Sequence, residues 1–352
     1  MNLAVFLPNW VGDVAMATPA LRAIREHFRN AHIIAVLKPY VAAVLEGCPW
    51  INEWMPANDG SWSRGMLATA ARLRRRDIDV AVLFPNSFRA ALTARLGRCQ
   101  RRIGYARYGR SAFLTDRLDP VRGADGRLVP SPAIDAFNRL AVACGCPRPS
   151  YRMELFTTPR DEAAADRLWD QFGLAVFDDI VCLNPGAAFG AAKYWPVEHF
   201  AALARRFVDQ RGSGVLVMCG PSEREMARRI VDEADRPEVF SLADEPLSLG
   251  LTKACIRRAA LLITTDSGPR HFGIAFDRPV ITLFGPTHIA WTETYHAHSV
   301  HMQRQVPCGP CQLRVCPLDH RCMKELLPDV VFAKAEEVLA AACDQRAAET
   351  TR

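Results

Sequence analysis

Small residues and a single lysine occupy a loop, residues 184–196, that has the pattern of a phosphate-binding site. It follows the apolar run Ile180-Val181-Cys182-Leu183, which predicts a buried strand, and a helix is expected from Pro196 onward. Backbone N–H groups and the positive end of a helix converge at such a junction, and the small Gly186 and Ala187 let an anion approach. Lys193 is one of only five lysines among 44 basic residues. It is a candidate point charge for a phosphate, and an ordinary surface lysine is the open alternative.

A second loop, residues 264–272, follows the apolar run Leu261-Leu262-Ile263 and also leads into a predicted helix. It offers amides and a hydroxyl to a pyrophosphate and a carboxylate to sugar hydroxyls. The alternative for this carboxylate is a helix cap, and the histidine one turn further on could face the core or a ligand. The candidate donor-binding residues here are Thr265, Asp266, Ser267, Gly268 and His271.

A third loop, after the strand-like run that ends at Cys219, contains Gly220 and the acids Glu223 and Glu225. An acid at this edge of an α/β sheet commonly binds a ribose hydroxyl. The sequence does not choose between the two acids. Either one could instead stabilise the first turn of the following helix.

The loop after the first strand, Pro8 to Asp13, contains the single glycine Gly12. The G-x-G-x-x-G fingerprint is therefore missing, which disfavours a dinucleotide site. Asp13 is a candidate general base at the carboxyl end of a strand. A helix N-cap is the alternative role for this residue.

Strand-like and helix-like patterns alternate through both halves of the chain and predict an α/β fold. We expect two Rossmann-like, doubly wound parallel-sheet domains, 1–158 and 159–352, joined by a linker around 145–160 and separated by a cleft that binds two ligands. Predicted elements include a helix over Val14–Phe28 that is kinked or restarted at Pro19. A terminal helix is expected over 330–345, and whether it packs back on the N-terminal domain is left open.

Composition is that of a globular protein, with 49% hydrophobic and 23% charged residues. No apolar run has the length of a membrane span, and the N-terminus lacks the basic region of a signal peptide. We therefore expect a cytoplasmic protein. The net charge is +6, and residues 64–110 contain twelve arginines and two acids. An anionic partner or a solvated basic face would each explain this, and no nucleic-acid-binding motif is found.

Taken together and in order, these loops resemble the ADP-heptose:lipopolysaccharide heptosyltransferases of glycosyltransferase family 9, and the type II enzymes in particular. The resemblance implies the GT-B fold, with the sugar nucleotide on the C-terminal domain and the acceptor on the N-terminal one. The motifs that carry it are Asn9-Trp10-Val11-Gly12-Asp13 with Met16, Leu83 to Phe88, Asn184 to Ala187, Lys193 to Pro196, Thr265 to Gly268 with His271, Arg278-Pro279-Val280 and Phe284-Gly285-Pro286.

The resemblance also implies a reaction. Heptose would move from ADP-heptose to the inner core of lipopolysaccharide, on lipid A-Kdo or a heptosylated acceptor, with inversion and without a metal or other catalytic cofactor. Asp13 would be the general base, and Lys193 would stabilise the departing ADP. Contact with the inner face of the cytoplasmic membrane would be peripheral. The implied acceptor-binding residues are Asn9, Trp10, Gly12, Asn86 and Arg89.

The arginines Arg98, Arg101 and Arg102 are further candidates for contact with the anionic acceptor. Arg270 departs from the apolar pattern expected after Asp-Ser-Gly and is a candidate phosphate contact. Alternatives remain: a GT-B transferase with another nucleotide sugar, a nucleotide-binding oxidoreductase, or a binding module without catalysis.

A cysteine cluster near the C-terminus has spacing that would suit a structural zinc ion, and reduced thiols without a ligand are the alternative. It lies outside the proposed chemistry. Its members are Cys308, Cys311, Cys316 and Cys322.

Overall fold

The computed structural model describes residues 1–57 and 62–350, and the side chains of all of these except 62 and 344–350. Its contacts divide the chain into two compact units. The first unit contains residues 1–156 with 290–294, and the second contains 157–289 and the chain from 295 onward. The division between 156 and 157 lies two residues from the boundary expected from the sequence.

The first unit is built on a six-stranded parallel sheet with the order β3-β2-β1-β4-β5-β6. The central strands β1, β2 and β4 are almost wholly buried, which explains their continuous apolar sequences. The strands are β1 (Asn2–Phe6), β2 (His32–Leu37), β3 (Glu53–Pro56), β4 (Val80–Leu83), β5 (Arg101–Tyr105) and β6 (Asp116–Leu118).

Among the described residues six helices flank this sheet, and two of them arise from the single helix expected over Val14–Phe28. The chain begins helical structure earlier, at Val11, and restarts at Thr18 with Pro19 in the first turn, as the proline suggests. The helices are α1 (Val11–Met16), α2 (Thr18–His27), α3 (Pro39–Ala42), α4 (Trp62–Arg74), α5 (Phe88–Leu96) and α6 (Ala133–Cys144).

The second unit repeats the design with a sheet of order β12-β11-β10-β7-β8-β9, again parallel throughout. Strands β7, β8, β10 and β11 are fully buried. The strands are β7 (Ile180–Asn184), β8 (Gly214–Val217), β9 (Val239–Ser241), β10 (Leu261–Thr265), β11 (Val280–Phe284) and β12 (Ser299–Gln303).

The described part of the second unit, up to residue 350, contains seven helices. The first begins at a capping box between Thr158 and Asp161. The last packs on α8, with the rings of Phe207 and Phe332 5.1 Å apart. The helices are α7 (Pro159–Phe172), α8 (Val197–Arg211), α9 (Arg224–Ala234), α10 (Leu249–Arg258), α11 (Arg270–Ala275), α12 (Arg321–Lys324) and α13 (Pro328–Thr350). In the described part of the chain no helix combines the length and hydrophobicity that crossing a membrane requires.

The predicted α/β architecture with two doubly wound sheets is confirmed. Elements that the sequence analysis missed are mostly sheet-edge strands and amphipathic helices. Strands β6 and β9 have three residues each, too few to show a period. Helix α4 ends with Arg72 and Arg74 in a strongly basic stretch, which hides its apolar face.

Candidate functional site

The second unit has a candidate site where β7 and β10 lie side by side. From β7 the sheet continues through β8 to β9, whereas β10 leads to β11 and β12 on the other side. Such a reversal of strand order opens a crevice beyond the carboxyl ends of the strands, and ligands bind there. The loops after β7, β8 and β10 all begin at this edge. The three predicted donor loops therefore belong to one edge of one sheet.

Hydrogen bonds between side chains connect the β7 loop to the β10 loop. Asn184 Nδ2 donates to Thr264 Oγ1 at 3.0 Å and to Ser267 Oγ at 2.9 Å. Thr265 Oγ1 donates to the carbonyl oxygen of Gly186 at 2.6 Å. Asn184 and both threonines are buried. The two loops are therefore fixed against each other without help from a ligand.

Several backbone amides beside these bonds have no partner. Within the part of the chain that the structure describes, at least seven N–H groups on the two loops donate to no protein group, and five of these are the nearest in sequence to the ends of β7 and β10. An unpartnered amide near the interior is uncommon, because its lost hydration is costly. Five of them at one strand edge suit an anion. They belong to Gly186, Ala187, Ala188, Ser267 and Gly268.

Lys193 lies in the β7 loop, in a single 3-10 turn, and its side chain is only 10% exposed. Its ammonium donates to Asp266 Oδ2 at 2.6 Å and to the Asp266 carbonyl oxygen at 2.8 Å. Its Nζ also lies 5.0 Å from the centre of the Phe189 ring. Thr287 Oγ1 donates to the same Asp266 oxygen at 2.7 Å. The alternative of an ordinary surface lysine is thereby excluded.

Asp266 is a buried carboxylate between two cations. Burial alone would raise the pKa of Asp266, but the charges of Lys193 and Arg270 outweigh it and the pKa is lowered. Asp266 does not cap α11, whose N-cap is Pro269. Two positive charges and one negative charge leave this cluster with a net charge of +1 at the edge that carries the unpartnered amides. The cluster therefore favours an anionic ligand.

Arg270 and His271 begin α11 and are buried. The Arg270 guanidinium is fully buried, lies 5.2 Å from the Phe284 ring centre and contacts His301 Nε2 at 2.6 Å. The expectation that Arg270 contacts a phosphate is corrected, because its charged end is enclosed by protein. Burial first, and then the Arg270 charge, lowers the pKa of His271 to about 3. His271 is therefore neutral at physiological pH.

The two acids that follow β8 lie in different surroundings. Glu223 Oε2 accepts a hydrogen bond from the Gly220 amide at 2.8 Å. Its carboxyl group also lies against Gly186, where an added Cβ would approach within 2.2 Å. Glu225 is 80% exposed and lies 3.7 Å from Arg228. The structure thus brings Glu223, and not Glu225, to the β7 loop.

The first unit has its own reversal of strand order, between β1 and β4. The loop after β1 leads into α1, and the loop after β4 leads into α5. A cavity of about 250 Å³ lies at this edge. Its polar lining comes from Asn9, Lys38, Ser87, Arg89, Thr69 and Thr93, and most of its other lining residues are apolar.

Asp13 is the third residue of α1. Among the residues that the structure describes, its carboxylate has no hydrogen-bond or ion-pair partner. The N-cap of α1 is Trp10, so the alternative role of Asp13 as a cap is excluded. Burial raises the pKa of Asp13 from 3.8 to about 6. A carboxylate with a pKa near neutrality is suited to accept a proton.

The predicted acceptor residues fall into two groups. Asn9 and Arg89 line the cavity, and Trp10 is 56% exposed on the loop that begins α1. Gly12 is buried within α1. Asn86 accepts a hydrogen bond through Oδ1 and so supports its own loop. Asn9, Trp10 and Arg89 therefore have side chains at the cavity or on the surface, and the Asn86 side chain is half-buried.

Arg110 is a candidate residue of the acceptor site that the sequence analysis missed. Its buried guanidinium donates to the carbonyl oxygens of Pro85 and Tyr105 and, at 3.0 Å, to Asn86 Oδ1. Burial, followed by the neighbouring Arg107 charge, lowers the pKa of Arg110 to about 10. In the described part of the chain none of its partners is a carboxylate. The only sequence signal was its place in the arginine-rich stretch.

Three other arginines lie near the amino ends of the strands of the same sheet, at the end opposite to the cavity. Arg101 begins β5, and Arg98 and Arg102 are close to it in sequence. Arg101 pairs with Asp116 at 2.8 Å, and Arg102 Nε donates to the Phe113 carbonyl oxygen at 2.7 Å. The proposed site lies at the carboxyl ends of the strands. The assignment of these three arginines to acceptor contact is therefore corrected.

The cysteine cluster lines a small cavity of about 20 Å³, together with His320. Cys308 and Cys311 are exposed, whereas Cys322 is buried. Burial first, and then the neighbouring thiols, raise the pKa of Cys322 to about 11. In residues 1–57 and 62–350 no three His, Cys, Asp or Glu side chains are grouped to hold a metal ion. The structure does not support the zinc site predicted at Cys308, Cys311, Cys316 and Cys322.

Two doubly wound parallel sheets in one chain, each with a candidate site where its strand order reverses, are the architecture of the GT-B fold. The chain belongs to glycosyltransferase family 9 (heptosyltransferase), whose sequence profile matches residues 66–321. The family membership predicted from the motifs is confirmed.

Similar proteins agree with this membership. Lipooligosaccharide heptosyltransferase 2 of Campylobacter jejuni is 26% identical over 345 residues, which cover 96% of this chain and 98% of that protein. Lipopolysaccharide heptosyltransferase 2 of Escherichia coli is 27% identical over 299 residues, or 82% of this chain and 83% of that protein. The structure of E. coli ADP-heptose lps heptosyltransferase II superposes with a TM-score of 0.78 at 23% identity, covering 97% and 99% of the two chains.

Proposed function

We propose that this protein is a heptosyltransferase that moves heptose from ADP-heptose to a sugar of the lipopolysaccharide inner core. Family membership supports heptose transfer. The names of the relatives support a lipopolysaccharide or lipooligosaccharide acceptor, and one of them includes ADP-heptose. The observation that carries the donor assignment is the group of loop amides without a partner among the described residues, beside the Lys193 and Asp266 pair.

The diphosphate of the donor binds, in this proposal, to the amides of the β7 and β10 loops. Negative charge grows on the leaving ADP as the bond to the sugar breaks. Preorganised amides and a buried cluster of net positive charge stabilise that charge more strongly than water would. Lys193 and Arg270 supply the positive charge. The Asp266 carboxylate, in the β10 loop, holds the Lys193 ammonium in place. Glu223 is the acid placed to accept hydrogen bonds from the nucleotide or the sugar.

Asp13 acts in this proposal as the general base. An acceptor hydroxyl gives its proton to the Asp13 carboxylate as its oxygen attacks the anomeric carbon, and ADP leaves from the opposite face. Such a single displacement inverts the anomeric configuration and needs no covalent intermediate. The support for this role is that the carboxylate has no partner among the described residues and that its pKa is about 6.

The cavity in the first unit binds the acceptor in this proposal. Lys38 and Arg89 line it, and the buried charge of Arg110 lies beneath the loop formed by Pro85 and Asn86. Three cations at one edge favour an acceptor with a carboxylate or phosphate group. A lipid-linked acceptor would be met at the membrane surface. We accordingly propose a cytoplasmic enzyme in peripheral contact with the inner membrane.

The function is tested by transfer to a defined acceptor. Purified protein is incubated with ADP-heptose and either Kdo-terminated lipid A or a heptosylated core, and mass spectrometry detects the gain of one heptose. A thermal-shift panel of ADP, UDP, GDP and NAD accompanies it, because a ligand that binds only the folded state raises the melting temperature. Selective stabilisation by UDP or GDP would indicate another nucleotide-sugar transferase. Stabilisation by NAD alone would favour an oxidoreductase.

A further inference from the structure

The segment 303–326, which contains the four clustered cysteines, packs against the loop that carries Lys193. The residue that precedes Lys193 in this loop is held from both sides. The Ala192 amide donates to the carbonyl oxygen of Arg314 at 3.0 Å. The Ala192 carbonyl oxygen accepts a hydrogen bond from His320 Nε2 at 2.8 Å.

Further contacts extend this attachment along the Lys193 loop. Arg314 Nε donates to the Phe189 carbonyl oxygen at 2.7 Å, and its guanidinium lies 5.7 Å from the Phe189 ring centre. Gly190 approaches so closely that an added Cβ would lie 2.4 Å from the Arg314 carbonyl oxygen. At the end of the loop, Trp195 Nε1 donates to the Leu326 carbonyl oxygen at 2.8 Å. The whole loop from Phe189 to Trp195 thus rests on the segment.

The same segment also supports the partner of Lys193. Gln303 Nε2 donates to the Thr287 carbonyl oxygen at 2.9 Å, and the Gln312 amide donates to the Pro286 carbonyl oxygen at 2.8 Å. Thr287 in turn donates through its hydroxyl to Asp266. Segment 303–326 therefore fixes the Lys193 loop directly and Asp266 through Thr287.

Two of the contacting residues have an unfavourable backbone conformation. His320 and Gln312 have φ of 61° and 59°, in the left-handed region where glycine is preferred. Backbone strain of this kind persists where surrounding contacts determine it, and it is often found at functional sites. A glycine at 320 would relieve the strain but could not bond to Ala192.

We propose that His320 and Arg314 are positioning residues that place Lys193 for the donor diphosphate. This inference rests on the donor site proposed above. His320 and Arg314 act through the peptide groups of Ala192 and Phe189 and touch neither substrate nor reacting atoms. Loss of either contact lets the loop carry the ammonium away from the diphosphate, and a displacement of about 1 Å is enough to impair a transfer reaction strongly.

The test compares His320→Gly, His320→Gln and Arg314→Ala with wild type in the full chain. His320→Gly should weaken ADP binding in calorimetry by about tenfold, and the KM for ADP-heptose should rise with it. Its melting temperature without ligand should equal or exceed that of wild type, because the left-handed strain is relieved. His320→Gln retains an N–H donor and should recover most of the affinity. Arg314→Ala should weaken ADP binding in the same direction.

The matched control is Arg304→Ala in the same segment, since Arg304 pairs with Glu325, at 3.2 Å, on an exposed surface. It should leave the affinity for ADP unchanged. Wild-type ADP affinity in both His320→Gly and Arg314→Ala would overturn the proposal, as would a loss of folding in His320→Gly that His320→Gln fails to rescue. If wild type binds ADP but transfers no heptose, the proposed function fails while the positioning role is still measured by ADP binding.

Discussion

At the scale of single residues, the chain keeps its two charged candidates for catalysis in opposite states. The Asp13 carboxylate is partly buried and, within the described residues, without a partner, and burial raises its pKa to about 6. Lys193 is engaged with Asp266 at 2.6 Å. A group that must accept a proton is better without a competing partner, whereas a charge that must stay in place benefits from one.

Replacing Asp13 by asparagine should lower kcat roughly a thousandfold, the range typical of a lost general base. ADP binding should be unchanged, because Asp13 belongs to the acceptor unit. In wild type, kcat/KM should rise with pH up to about pH 6 and then level off, since the base must be deprotonated. Steady-state kinetics from pH 5 to 8 measures both effects. A kcat for Asp13→Asn within threefold of wild type would exclude the role.

The same substitution should stabilise the protein at neutral pH. The folded-state pKa of Asp13 is raised, so ionisation of Asp13 lowers the free energy of unfolding. This loss of stability is absent below about pH 4 and complete above about pH 6. Its upper limit is about 3 kcal/mol, which follows from the shift of 3.8 to about 6. Denaturant unfolding at pH 7.5 and at pH 4 should show a gain for Asp13→Asn at the higher pH only. An equal gain at both values would mean that the charge is not its cause.

At the scale of elements, the site depends on loops that approach one another closely. Gly190 illustrates this, since its missing side chain leaves room for the carbonyl oxygen of Arg314 at the site of contact with segment 303–326. Backbone atoms cannot turn aside as a flexible side chain can. The loop geometry is therefore sensitive to a single added methyl group.

Gly190→Ala should destabilise the protein by about 3 kcal/mol, because the two backbones must separate. Gly212→Ala is the matched control: it too has a positive φ, of 68°, but nothing lies within 4 Å of its added Cβ. Its cost should be about 1 kcal/mol, the strain of a left-handed alanine. Urea unfolding of both variants measures the difference. Equal losses would show that the close approach to Arg314 is unimportant.

The sequence predicted the positions of the loops well and the side-chain contacts between them poorly. Strand, small-residue loop and helix are local patterns, so Gly186, Lys193 and Ser267 could be assigned to one edge of a sheet. The pairing of Lys193 with Asp266 joins residues far apart in sequence and has no local signal. Arg110 was missed because it bonds mainly to backbone carbonyls, which any sequence provides. Arg270 was misassigned because nothing in the local sequence shows that α11 is buried continuously from Arg270 to Ile274.

At the scale of the whole molecule, the two units divide the proposed work between donor and acceptor. Each has its candidate site at its own reversal of strand order, and each candidate site has more basic than acidic side chains. Ligand binding can therefore be followed separately in each unit of the intact chain. The local stability of each set of loops gives the signal.

Hydrogen exchange should show that ADP slows amide exchange in residues 184–193 and 264–268, because the unpartnered amides gain acceptors. Residues 7–13 and 85–87 should exchange at their unliganded rates with ADP alone. An anionic core oligosaccharide should protect this second set instead. Mass spectrometry of the full chain with each ligand measures the pattern. Protection of residues 7–13 by ADP and not by the oligosaccharide would reverse the assignment of donor and acceptor.

The scarcity of lysine has a practical consequence for labelling chemistry. Of the five lysines, Lys193 and Lys253 are buried, while Lys38, Lys324 and Lys334 retain solvent access. An amine-directed acylating reagent should thus modify these three lysines rapidly in native protein, together with the α-amino group of Met1. The slow acylation rate of Lys193, measured by peptide mapping, would then report how often the donor loop opens spontaneously. The degree to which each nucleotide lowers that rate would rank the affinities of the nucleotides for the enzyme.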